Sequence, residues 1–231
     1  MNSSVLEARS LVKTYGSTRA LAGVDLTVHR GESVAIMGSS GSGKTTLLHV
    51  LAGIVPPDSG TVTFHPSTGS PVEVEKLGEP GRSRLRRERF GFVFQQGLLI
   101  PELTAVENVA LASMITGATR SDAVRHATSW LAALGLSGLE DRRIGELSGG
   151  QAQRVAIARA HVTGADLVFA DEPTGALDTR TSREVMDALL WSTTGQGRTL
   201  LVVTHDAEVA ARCSRTVSVR DGRVETSGVA A

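Results

Sequence analysis

Cysteine is almost missing: Cys213 stands alone in 231 residues, which excludes an internal disulfide and a cysteine metal cluster. Its short apolar surroundings predict a helical stretch and a buried structural thiol. Aromatic residues make up only 3% of the chain, too few for the stacking platforms of single-strand binders. Net charge is missing as well. The 24 Lys and Arg balance 24 Asp and Glu, so no overall field favours nucleic acid or an acidic membrane surface. No apolar run approaches the roughly twenty residues that span a bilayer. The opening MNSSVLEARS has neither the basic nor the apolar region of a secretory signal. These absences predict a cytosolic polypeptide that meets a membrane only through a partner.

What is present alternates. VLEARSLVKTY, LAGVDLTVH and ESVAIMG carry β-branched or apolar residues in strand-like patterns, and the third runs into a glycine-rich turn and a helix from Lys44 to Leu51, closed by Gly53. SGTVTF reads as a strand of a peripheral sheet, followed by the irregular HPSTGSPVEVEKLGEPG, for which an enlarged surface turn is expected. Helices predominate from Thr104 to about Arg159. There Ala123, Val124, Ala127, Trp130, Leu131 and Leu134 share one face at 3.6 spacing, and Gly135 supplies a stop. DLVFAD and TLLVVT read as strands around a helix from about Thr181 to Ser192, and a last hairpin turns at Asp221-Gly222. Strands alternating with helices imply an α/β fold with a mainly parallel sheet and an inserted helical lobe.

The chemistry begins at Gly38-Ser39-Ser40-Gly41-Ser42-Gly43-Lys44-Thr45, which fits G-x-x-x-x-G-K-[ST] between a strand and a helix. The glycines let successive backbone N–H groups face phosphates; Lys44 reaches the β- and γ-phosphates, and the Thr45 hydroxyl suits Mg²⁺. LVFADE puts Asp171 at the end of a central strand, where it can hold Mg²⁺, and Glu172 beside it as a general base. His205 ends another apolar run and is expected at the γ-phosphate. Gln95 follows FGFVF and is equally a surface glutamine or an active-site one. Tyr15 either stacks on a base or packs at a strand end. His29, His49, His65, His126 and His161 have no ligand-like spacing, so no metal is assigned to them. A second phosphate-type turn, ELSGGQ, caps the run AQRVAIARA and offers N–H groups at a helix N-terminus.

Taken in order, GSSGSGKT, FVFQQ, LSGGQ, LVFADE, TGALD and VVTH resemble the nucleotide-binding subunit of an ABC transporter over nearly the whole chain. The resemblance implies a P-loop NTPase with a RecA-like core, an antiparallel β subdomain and an inserted helical subdomain. In this numbering the core and β subdomain take 1–95 and 161–231, and the helical subdomain takes 96–160. It implies ATPase activity with ATP and Mg²⁺ as cofactors, the Mg²⁺ held by Thr45, Gln95 and Asp171. Tyr15 matches the aromatic on adenine, Gln95 the Q-loop glutamine, His205 the switch histidine, and Asp178 the loop between two sites. Thr46 extends the phosphate loop. A head-to-tail homodimer is implied, in which Ser148, Gly149, Gly150 and Gln151 serve the nucleotide held by the partner's Gly38–Thr45 loop.

FGFVFQQ, IPELTAVENV and ADEPTGALD are similar to the lipoprotein-release and macrolide-efflux group. That likeness implies an integral membrane permease (FtsX/MacB-like) docking near Leu98, Leu99, Ile100 and Leu103, and a place on the cytoplasmic face of the membrane. The cargo expected is a drug, antimicrobial peptide, haem or lipoprotein. Gly97, where relatives usually carry an aromatic, Ala152, where a long polar residue is usual, and the long 65–81 stretch depart from the group. Alternatives are a non-transport ATPase that controls a cell-wall hydrolase, a soluble ABC protein, and an importer ATPase.

Overall fold

The computed structural model describes residues 3–225. In chain order the elements are β1 (Ser4–Tyr15), β2 (Thr18–His29), β3 (Ser33–Met37), α1 (Lys44–Leu51), β4 (Ser59–Phe64), β5 (Val72–Glu73), α2 (Glu79–Arg89) and β6 (Phe90–Phe94). They continue with α3 (Ala105–Ile115), α4 (Arg120–Ala133), α5 (Gly149–His161), β7 (Leu167–Asp171), α6 (Thr179–Ser192), β8 (Thr199–Val203), α7 (Ala207–Ala211), β9 (Arg215–Arg220) and β10 (Arg223–Glu225). The chain divides into two compact units, Met1–Arg86 with Thr199–Ala231, and Arg87–Arg198.

The first unit holds two sheets of different character. The antiparallel order β2-β1-β4-β5 follows from alternation: Leu6, Ala8 and Leu11 are buried on β1 while Glu7, Arg9 and Ser10 are not. Bulges break the β1–β2 register, as Ser10 at φ 49 attests. In the other sheet β3 lies between β8 and β9 and is parallel to both; β10 folds back on β9 through Asp221 and Gly222, both at positive φ. β8 is buried at every position and β3 at four of its five, so these strands read as continuous apolar runs.

In the second unit β6 and β7 run parallel, Phe94 opposite Asp171, with Phe90 edge-on to Phe169 and Phe92 stacked on it. Each long helix starts from a side-chain cap. Thr104 with Glu107 and Ser148 with Gln151 form reciprocal capping boxes, Thr119 caps α4, and Asp178 caps α6. On α4, Ala123, Ala127 and Leu131 are buried together with Leu134, while Val124 and Trp130 are half-buried at the edge of the stripe.

The 65–81 stretch is more ordered than the surface turn expected of it. Val72 and Glu73 pair with β4, and Val74 is buried beside Gly53. The Glu75 carboxylate accepts from the Val62 N–H at 2.9 Å, and α2 begins at Glu79. That helix buries only Leu85. Ion pairs hold it instead: Glu79 joins Arg82 at 2.8 Å and Arg86 at 2.6 Å, and Arg86 also donates to the Gly53 carbonyl. Cys213 lies two residues beyond α7, half-buried, and burial pushes its thiol up to about 11.

His161 closes α5 against the Trp130 ring, centroids 5.0 Å apart, with its Nδ1 3.4 Å from Arg198. Burial, and then the Arg198 charge, push the imidazole down to about 3. The unfolded chain therefore takes up this proton first. The contribution is intact above the ordinary value of about 6.5 and is lost as pH falls towards 3, at up to about 1.4 kcal/mol per pH unit. Urea unfolding at pH 7 and pH 5 should show a loss of about 2 kcal/mol from this group. His161→Phe, which keeps a ring for Trp130 but cannot titrate, should remove most of that difference; an unchanged pH dependence would assign it elsewhere.

Candidate functional site

The Gly38–Thr45 turn joins β3 to α1, as strand, loop and helix. Gly43 sits at φ 105 as the N-cap of α1, and its carbonyl accepts from the Leu47 N–H at 2.8 Å. The Lys44 Nζ donates to the carbonyls of Gly38 and Ser39, both at 2.8 Å, so the loop curls around its own lysine. Ser42 is buried, and its Oγ has no hydrogen-bond partner. A buried hydroxyl, a buried ammonium and a helix N-terminus converge here, which suits a polyanion. β8 runs beside β3, Ile36 level with Val203, so His205 leaves the same strand edge, exposed. The turn after it is held by the Asp206 N–H donating to Thr204 Oγ1 at 3.0 Å. Tyr15 ends β1 half exposed, with the Lys13 ammonium 5.7 Å from its ring.

In the second unit Gln95 and Glu172 leave β6 and β7 at one edge, next to the paired Phe94 and Asp171. A Cβ at Gly175 would stand 3.0 Å from Gln95 Nε2 and 3.5 Å from the Glu172 Cβ, so these side chains are neighbours. Glu172 has φ 47, a left-handed conformation that a non-glycine residue adopts only when its surroundings impose it. Ser148 caps α5 by accepting from the Gln151 N–H at 3.3 Å, and Gln151 Oε1 accepts from the Ser148 N–H at 2.8 Å. Gly149 and Gly150 pack against Leu177 and Thr181, beside the start of α6. There the Asp178 carboxylate accepts from Thr181 Oγ1 at 2.6 Å and from the N–H groups of Arg180 and Thr181. Those bonds, the Thr181 hydroxyl first, hold it below the usual carboxylate range.

Three residues outside the motifs position the chain on either side of Gln95. Gln153 Nε2 donates to the Phe94 carbonyl at 2.8 Å, and the Arg159 guanidinium donates to the Leu98 and Gly97 carbonyls at 2.6 and 2.7 Å. Burial pushes the Arg159 guanidinium down. Asn108 donates to the Ile100 and Thr104 carbonyls, both at 3.0 Å, and accepts from the Ile100 N–H at 2.7 Å. A signal was available: Asn108 and Gln153 are polar residues on otherwise buried helix faces. Between these clamps Leu98 and Ile100 are exposed, and Gly97 takes φ 66 with Gln153 at its back. The Ala152 departure has no structural account.

A family described as ABC transporter matches residues 21–175. The lipoprotein-releasing system ATP-binding protein LolD of Geobacter metallireducens is 46% identical over 226 residues, 96% of this chain and 98% of that one. The macrolide export ATP-binding/permease protein MacB of Nitrosomonas europaea is 43% identical over 97% of this chain, which spans only 34% of its length. Among solved structures, the dimeric post-hydrolysis state of the ATP-binding cassette MJ0796 bound to ADP and Pi has TM-score 0.83 and 36% identity, covering 95% of this chain and 96% of that one.

Asn108→Ala strips partners from the Ile100 N–H and from the Ile100, Leu103 and Thr104 carbonyls. A cost of about 1–3 kcal/mol is expected in denaturant unfolding. The Ile100 amide should also exchange with solvent markedly faster; unchanged exchange there would show that Asn108 does not hold the segment.

Proposed function

The chain belongs to the ABC transporter family, as an ATP-binding component of the macrolide-export and lipoprotein-release type, and on that footing we propose that two copies close around two ATP molecules to drive a separate permease. The observation that carries this reading is the strand–loop–helix turn of Gly38–Thr45, wrapped on Lys44. In this reading Lys44 exchanges its two carbonyl partners for the β- and γ-phosphate oxygens, the N–H groups of Gly38–Thr46 line the phosphates, and Tyr15 stacks on adenine. Residues suited to Mg²⁺ are Thr45, Gln95 and Asp171, all hard oxygen donors. Mg²⁺ keeps several waters and is typically held by one or two carboxylates with substrate phosphates, a role that Asp171 suits. When bound, Mg²⁺ neutralises charge that develops on the phosphates.

Glu172 is the general base. Its carboxylate takes the proton of the attacking water, Gln95 orients that water, and His205 donates to the γ-phosphate. Ser148 explains the second phosphate-type turn. Its cap uses a lone pair, so the hydroxyl still has a hydrogen to donate, and the Gly149 and Gly150 N–H groups stand with it at the positive end of α5. These groups act on the nucleotide held by the other copy, and a two-fold pair completes both sites at once. No helix among the described residues is long and apolar enough to cross a membrane. The place of action is the cytoplasmic face, reached through the permease. Leu98 and Ile100, exposed on a segment that Arg159 and Asn108 hold fast, form the docking surface with Leu99 and Leu103; each side chain fully covered there contributes roughly 1.5–3 kcal/mol. The cargo class is an amphipathic molecule, such as a drug, peptide, haem or lipoprotein, extracted or exported by the permease.

Glu172→Gln keeps the shape of the side chain but accepts no proton. ATP binding should persist, turnover should fall at least about a hundredfold, and size-exclusion chromatography with ATP should show a species of doubled mass. Rapid turnover by this variant would remove Glu172 from the role. Action across the dimer has a separate test in mixing Lys44→Ala with Ser148→Arg subunits. One site in each mixed dimer is then doubly damaged and the other intact, so partial activity should return. Silence from verified mixed dimers would place Ser148 at its own chain's nucleotide.

A further inference from the structure

The phosphate loop is not held by its own bonds alone. Its outer side rests on two strands that carry no phosphate-binding motif. Gly222, second residue of the β9–β10 turn, donates its N–H to the Ser42 carbonyl at 3.0 Å, and its own carbonyl accepts from the Ala22 N–H at 2.8 Å. The Ala20 carbonyl lies against both Gly43 and Gly222, and the Val219 carbonyl lies where a Gly38 side chain would begin. A Cβ at Gly222 would stand 2.8 Å from that Ala20 oxygen, and the residue has φ +72, so glycine is required twice over.

We propose that Gly222 is a positioning residue for nucleotide binding, its N–H fixing the peptide between Ser42 and Gly43. A trans peptide is planar, with C=O and N–H on opposite sides. Holding the Ser42 carbonyl outward on the hairpin therefore points the Gly43 N–H the other way, into the loop. Without that bond the 42–43 peptide can rotate about its flanking dihedrals, which glycine on one side makes easy, and one donor is withdrawn from the phosphate. β2 ties the same turn to the strand whose partner ends at Tyr15, Tyr15 lying opposite Thr18. The inference rests on the reading of Gly38–Thr45 as the nucleotide's phosphate loop.

The direct test replaces the N–H by an ester oxygen and leaves every side chain unchanged. Cys213 allows ligation of a synthetic 213–231 segment in which glycolate replaces Gly222, turning the amide into an ester. Calorimetric titration should give ATP and ADP dissociation constants raised about five- to tenfold, the range of one hydrogen bond. The apo melting temperature should fall by no more than a few degrees. Gly222→Ala, which pushes the turn off Ala20, should act in the same direction. Affinity within twofold of wild type in the folded ester protein overturns the proposal, as does a loss that only tracks the unfolded fraction. Hydrogen exchange on the unaltered protein needs no variant to fold: saturating ATP should slow the Gly222 amide at least about tenfold, since the bond and the ligand favour the same loop conformation. Equal exchange with and without ATP also overturns it. Wild-type protein that fails to bind ATP removes the phosphate-loop reading itself, and this inference with it.

Discussion

Backbone N–H groups can be offered to an anion only if the carbonyls of the same peptides are satisfied on the other side. That requirement governs the construction around Gly38–Thr45. The loop turns Gly38 and Ser39 carbonyls inward to Lys44 and the Ser42 carbonyl outward to Gly222. Held outward, the Ser42 carbonyl points the Gly43 N–H into the loop. Backbone must then approach backbone closely, which Gly38, Gly43 and Gly222 permit against Val219 and Ala20. The buried strands β3 and β8 make the platform rigid enough for such approaches to persist.

The same accounting runs through the second unit. The segment after Gln95 has few ladder partners, and side chains take the place of a sheet. Arg159 satisfies carbonyls from α5 and Asn108 does so from α3, while Gln153 holds the Phe94 carbonyl just before Gln95. Burying an amide or a guanidinium is costly unless it is fully used. Here the expense fixes an irregular stretch, and it leaves Leu98 and Ile100 exposed without being loose.

Much of this was readable beforehand because it is local. Gly-Lys-Thr between a strand and a helix, the Asp221-Gly222 turn, the Lys44–Leu51 helix and the apolar runs of β7 and β8 each follow from neighbours in sequence. α2 was not readable: Glu79 reaching Arg82 and Arg86 leaves no apolar period, and Leu85 is its only buried residue. Val74 and Glu75 gain their meaning from Gly53 and Val62, distant in sequence, so 65–81 read as a turn. In the candidate site the residue types were legible while their supports were not. Nothing near Gly222 in sequence mentions Ser42, and nothing near Arg159 mentions Gly97.

Arg159 also sets the mechanics of α5. The helix begins at the Ser148 cap and carries Arg159 near its far end, where the guanidinium grips Gly97 and Leu98. Its 13 residues span about 20 Å. Both ends are therefore engaged, one by its own capping box and one by another segment's backbone. A rigid rod fixed in this way converts a tilt at Ser148 into a sideways displacement of the Gly97–Leu98 peptide, in proportion to its length. Any such tilt would reach Leu98 through two hydrogen bonds from one arginine, while Ile100 stays tied to Asn108 on α3.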